Sequence, residues 1–133
     1  MFGALDISTS GLVAQRIQMD TIAGNIANMQ TTRRADGQSG PYLRRVALFA
    51  PGDGHGAAGV HVEGVVEDRL GQPRLVKDPG HRDADANGIV AYPNMDPSTE
   101  MVNAMVAVRA FEANLTAIEA TKSMVASTLR ILA

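Results

Sequence analysis

The chain is expected to be mainly α, with long N- and C-terminal helices paired as an antiparallel coiled coil and a small β-rich insert between them. Three observations in its 133 residues point that way. Charge is scarce at both ends: residues 2–29 carry three charged side chains and 97–133 carry six, against 17 in 30–96. Breakers crowd the middle, which holds ten of the 13 glycines and every proline except Pro97, so turns and strands belong there. Aromatic residues are 4% of the chain while 45% is apolar, and apolar mass carried on Ala, Val, Leu, Ile and Met suits helices packed side by side. The expected organisation is an N-terminal helix within 1–30, a loop and β-rich insert over 31–96, and a C-terminal helix within 97–133.

In the first segment Leu5, Leu12, Met19 and Ile26 recur every seven residues, and the positions three further on are Ser8, Gln15, Ile22 and Met29. That seam is fully apolar only in its second half. Small residues, Gly3, Gly11, Ala14 and Gly24 among them, permit close approach of another backbone but weaken the isolated helix. Ordering coupled to docking is expected. Asn25, Asn28, Thr31 and Thr32 are expected to end the helix through local side-chain hydrogen bonds.

In the middle, residues 41–49 read as a strand, and 59–67 alternate Val60, Val62 and Val66 with His61, Glu63 and Glu67. Shorter strands are expected at Leu75-Val76 and over 89–92, with turns at Gly52-Asp53-Gly54-His55-Gly56 and Asp78-Pro79-Gly80. The last segment is more regular. Met101, Ala104, Val108, Phe111, Leu115, Ile118, Lys122, Val125, Leu129 and Leu132 follow alternating steps of three and four, nine of the ten being apolar. Asp96 suits the cap, Pro97 the first helical position and Glu100 the positive end, so the helix is placed over 97–132. At ~1.5 Å per residue it reaches roughly 50 Å, which makes the molecule elongated. Lys122, in the seam, either sets register or extends its ammonium to water.

Composition removes several function classes. A formal charge of −2 gives no general attraction to nucleic acid, and without Cys there is no disulfide, thiol nucleophile or thiolate metal site. No stretch approaches the ~18 apolar residues of a membrane span, and residues 1–15 lack the basic residue of a cleavable secretory signal. Asp83-Ala84-Asp85-Ala86-Asn87-Gly88 reproduces the first half of a calcium loop. Its twelfth position is Asn94, however, which cannot supply the bidentate carboxylate, so an Asp/Asn-rich turn is the reading. The glycines at 52–56 lack a following Gly-Lys-Ser/Thr, and His55, His61 and His81 have no ligand spacing. Asn114-Leu115-Thr116 is an acceptor pattern inside a helix, and no nucleophile elbow is present. No enzyme activity, cofactor, metal or small-molecule substrate is expected. What remains is binding: Ile7, Val13, Ile17, Val102, Met105, Val106 and Met124 lie outside the two seams and are expected to meet neighbouring subunits.

Ser10-Gly11-Leu12-Val13-Ala14-Gln15-Arg16, Met19-Asp20, Asn25-Ile26-Ala27-Asn28 and Thr31-Thr32-Arg33 resemble the N-terminal signature of bacterial flagellar basal-body rod proteins. Tyr92-Pro93-Asn94, Glu100-Met101-Val102-Asn103 and Arg109-Ala110-Phe111-Glu112-Ala113-Asn114 resemble that family's second terminal helix. Asp78-Pro79-Gly80-His81 with Asp83-Ala84-Asp85 is similar to its proximal-rod members. The resemblance implies a structural subunit that passes the flagellar type III export apparatus without a cleaved signal and joins the rod crossing the periplasm. Its implied neighbours are further copies, other proximal- and distal-rod proteins, the rod-to-ring adaptor and the membrane ring at the base. There the helices would pack about an axis as a drive shaft around the export channel. A soluble coiled-coil adaptor or secretion chaperone is the alternative that the residues alone leave open.

Overall fold

The computed structural model describes residues 2–38, 40–52 and 56–132, with backbone only for 2 and 132. The expected turn at 53–55, with His55, and the side chain of Leu132 lie outside the described residues. Helices α1 (Phe2–Ala27) and α2 (Pro97–Leu132) bracket strands β1 (Arg45–Pro51), β2 (Val60–Glu67), β3 (Arg74–Lys77) and β4 (Ile89–Tyr92). Two antiparallel sheets result, β1 with β2 and β3 with β4.

This corrects the mainly α expectation, because the strands form a structural layer and the chain is α+β. α1 packs against α2 and also against both strands of the β1–β2 hairpin. The hairpin is held along α1 at two points: Asn25 bonds the backbone of Arg45, and Val60 N–H donates to Ser10 Oγ at 3.1 Å. Those points are separated by roughly 22 Å of helix, the span of a seven-residue strand. The hairpin register shifts between Leu48 and Phe49, leaving Glu63 as the extra residue of a bulge in β2.

The coiled-coil seam is also corrected. Gly11 lies against Asn114 and Asn25 bonds Glu100, so the helices run antiparallel. The buried positions, however, are Gly11, Ala14, Ile22 and Asn25 on α1 and Glu100, Ala107 and Thr121 on α2, with Asn114 half-buried. Each helix keeps one expected line inward, with Gln15, Ile22 and Met29 on α1 and Ala104, Phe111, Ile118 and Val125 on α2 half-buried or better. The other line is displaced by one residue. Leu5, Leu12 and Met19 are half-buried, as Gln15 and Met29 of the inward line are, but Ile26, Met101, Val108, Leu115 and Leu129 are exposed. Neighbours at three and four residues flank the same line, so the two alternatives differ by a rotation of roughly 50° about the helix axis. Small residues on the inward line bring the backbones close: a Cβ on Gly11 would lie 2.8 Å from Asn114 Nδ2. Large apolar knobs cannot occupy so narrow a gap. Extending this register sets residue 2 opposite 123; beyond that point on α2 Leu129 is 61% and Ile131 85% exposed.

The ends are closed by side chains. Asp96 Oδ2 accepts from Thr99 N–H at 2.9 Å and from the Thr99 hydroxyl at 2.7 Å, capping α2 ahead of Pro97. These bonds hold the Asp96 carboxyl below the usual carboxylate range. Asn28 closes α1, its Nδ2 donating to Gly24 O at 2.8 Å and its Oδ1 accepting from the Thr31 hydroxyl at 3.1 Å. The Asn25 side chain takes no part in that closure, and Thr32 donates instead to Asp83 at 2.7 Å.

Two outcomes are expected. Gly11→Ala destabilises the wild-type chain but stabilises an Asn114→Ala background, where the helical gain over glycine acts without the clash; thermal melts of the four proteins should give a coupling of ~1 kcal/mol or more. Asp96→Ala lowers the melting midpoint by a few degrees at neutral pH. Because the folded pKa of Asp96 is depressed, the cap's contribution is present above the unfolded value and disappears as pH falls through the folded one, so the two melting curves should converge in acid.

Candidate functional site

At the end of the helix pair nearest the insert, three parts of the chain meet in a buried polar junction. Asn25 is 1% exposed, yet all its bonding capacity toward the strand is used. Its Nδ2 donates to Arg45 O at 2.8 Å and its Oδ1 accepts from Arg45 N–H at 2.8 Å, the two bonds a neighbouring strand would make. The same Oδ1 accepts from the Tyr42 hydroxyl at 3.2 Å, and Nδ2 also donates to Glu100 Oε2 at 3.3 Å. Glu100, equally buried, accepts from Arg44 Nε at 2.7 Å. Burial pushes the Tyr42 phenol up. The junction thus locks α1, the entry to β1 and the first turn of α2 to one another. A buried carboxylate and carboxamide are tolerable there because each has a partner.

A second cluster fixes the loop after α1. Asp83 accepts from Thr32 and pairs with Arg33, while Arg34 bonds both Asp36 at 2.7 Å and Glu67 at 3.1 Å. The Thr32 bond and the guanidinium hold Asp83 below the usual carboxylate range. The calcium-like stretch is used in this way and as a turn: Asp85 Oδ1 accepts the amides of Asn87 and Ile89, both at 2.8 Å. Gly88 adopts φ 73°, and a Cβ there would meet the Pro79 ring at 3.0 Å.

The structure therefore divides the residues singled out from sequence. Asn25 and Glu100 meet in the junction, Asn28 and Thr31 close α1, and Asn114 lies in the seam, donating to Ala110 O at 3.1 Å. Arg109 and Glu112 form an exposed 2.7 Å ion pair, and exposed Asn94 lines a small cleft of about 80 Å³ with Pro41, Tyr42 and Pro93. Sequence reasoning missed Tyr42, Arg44 and Arg45, whose roles depend on partners 17 to 56 positions away. The signal available for them was an arginine pair opening a strand.

Outside the junction the helices are left apolar. Met101, Met105, Val108 and Leu115 occupy one flank of α2, Val102, Val106, Met124 and Ile131 the other, and Ile7 and Val13 lie outward on α1. Ile17 is half-buried and Lys122 exposed.

Residues 5–33 match the family model described as "Flagella basal body rod protein", and residues 86–131 match "Flagellar basal body rod FlgEFG protein C-terminal". Both helices of the spine thus define a structural protein of the flagellar axis. Similar along nearly the whole chain are the "Flagellar basal-body rod protein FlgC" of Bacillus subtilis, 40% identical over 98% of this chain and 97% of the relative, and that of Salmonella typhimurium, 38% identical over the same shares. The corresponding protein of Borreliella burgdorferi is 37% identical over 99% of this chain and 97% of the relative. The chain belongs to the flagellar basal-body rod protein family, whose members are structural parts of the basal body.

The junction generates a sharp expectation. Asn25→Asp removes the donors to Arg45 O and Glu100 and sets a second carboxylate beside the first, which should cost ~2–4 kcal/mol at neutral pH in a denaturant melt. Repulsion and burial raise the folded pKa of the introduced group. The deficit against wild type should therefore be smallest below the unfolded carboxylate pKa and grow as pH rises through the folded value.

Proposed function

We propose that this rod subunit belongs to the proximal rod and enters a helical array through the uncovered faces of its two helices. One observation carries the reading: apolar residues border α2 on both flanks as well as in its seam, with Met105 and Val106 each 61% exposed. A helix apolar on several sides is suited to the interior of a bundle. Heterologous contacts between such faces generate an open helical stack instead of a closed ring. In that stack the helices run as a shaft, transmit torque through many parallel contacts and surround the export channel.

The neighbours proposed are further copies of the chain, other proximal- and distal-rod proteins, the rod-to-ring adaptor and the membrane ring. Delivery is through the flagellar type III export apparatus to a position spanning the periplasm. The polar junction supports this reading because it gives the subunit one fixed head from which both helices are presented at a set rotation.

Val106→Asp is the test, since this side chain lies on the outer flank and away from the junction. The variant should melt as wild type does, yet be missing from isolated basal bodies and leave cells unable to swim. Normal swimming with the variant present in the rod would overturn the proposal.

A further inference from the structure

We propose that the outer edge of β2, over Val65–Glu67 in the sheet and beside a cluster of arginines, binds an extended acidic segment of a partner protein by strand addition. The surface belongs to the insert and goes beyond the rod reading, standing or falling independently of it.

The edge is defined by the register. Asn25 engages both backbone groups of Arg45 on the side away from β2, so Arg45 and Glu67 form a non-hydrogen-bonded pair. Asp68 N–H donates to Arg44 O at 2.7 Å, which agrees with this phase. By alternation the amide and carbonyl groups of Val65 and Glu67 point outward. No third strand covers them, because among the described residues the sheet has two strands only. The outer edge of β1 is satisfied at Arg45 by Asn25 and that of β2 at Val60 by Ser10, whereas among the described residues no such side-chain bond reaches the backbone of Val65 or Glu67. The bulge at Glu63 ends the regular edge on one side, which confines addition to about three residues.

Charge selects the occupant. Val65 and Glu67 share a sheet face with Arg45, and a groove of about 590 Å³ runs past Arg34, Asp36, Arg45, Val65, Glu67 and Arg69. Three guanidiniums face two carboxylates there. Arg34 and Arg69 are engaged by Glu67, and Arg34 also by Asp36. Among the described residues Arg45 makes no ion pair, and its guanidinium lies 5.6 Å over the Tyr42 ring. One incoming carboxylate opposite Glu67 balances the groove and gains a charge-assisted bond from Arg45. Val65, 45% exposed, offers an apolar contact two positions away on the same face. The ligand is therefore an extended segment carrying a carboxylate and a β-branched residue at i and i+2. A polyanionic surface is disfavoured by Asp36 and Glu67.

The probe is the blocked pentapeptide Thr-Glu-Thr-Val-Thr, titrated into the full chain while backbone amide resonances are followed. Shifts should centre on Val65 and Glu67. Replacing the peptide's glutamate by lysine, or Arg45→Gln in the protein, should each weaken binding about tenfold. Arg45 holds Asn25 through its backbone, so the side-chain substitution leaves the junction bonds in place. N-methylation of the peptide backbone at the edge-facing positions should abolish binding. No saturable shifts, equal affinity for the lysine peptide, or shifts confined to the helix flanks would each overturn the proposal. Loss on Arg45→Gln combined with tolerance of N-methylation would overturn the strand-addition geometry.

Discussion

The architecture depends on the requirement that Asn25 and Glu100, once removed from water, be fully paired. Each is 1% exposed, and with their partners they join three separate parts of the chain, α1, residues 42–45 and α2. A lost bond at such a site costs the full desolvation of the group left behind. That requirement turns one chosen line of α1 and one of α2 inward, which sets the rotation of both helices. The same rotation places Gly11 against Asn114 and Ala107 in the seam, and it carries Met101, Val108 and Leu115 outward. Polar satisfaction at one end thus decides which apolar surface the protein displays along its length.

Much of this order was legible in the residues. Asp96 and Pro97 mark the start of α2, which does begin at Pro97, and the valine alternation over 59–67 locates β2. The line through Ile22 on α1 and the line through Phe111, Ile118 and Val125 on α2 are also readable from spacing. The other half of each seam was not. Periodicity cannot separate a neighbour at three residues from one at four, and hydrophobicity chooses the wrong one here because the apolar line is not the line the chain itself covers. The deciding contacts, Asn25 with Arg45 and Glu100 with Arg44, span 20 and 56 positions. No local pattern encodes them.

The contribution of the strands was underestimated for a related reason. β1 and β2 are short, and the valines of β2 are half-buried or exposed, so each strand alone reads as marginal. Their length matches the stretch of α1 between Ser10 and Asn25, which lets a modest hairpin dock as a layer. Residues that share one sequence signature also serve different ends. Asn28 closes a helix, Asn25 substitutes for a strand, and Arg109 with Glu112 remains at the surface.

The unequal helices give the subunit a direction. At one pole stands the interlocked head; at the other lies the last stretch of α2, with Leu129 and Ile131 bare. No twofold operation within the molecule exchanges these poles, so the two ends of the subunit are chemically distinct. Direction needs no added marker in such a molecule, because the arrow is drawn by its own unlike ends.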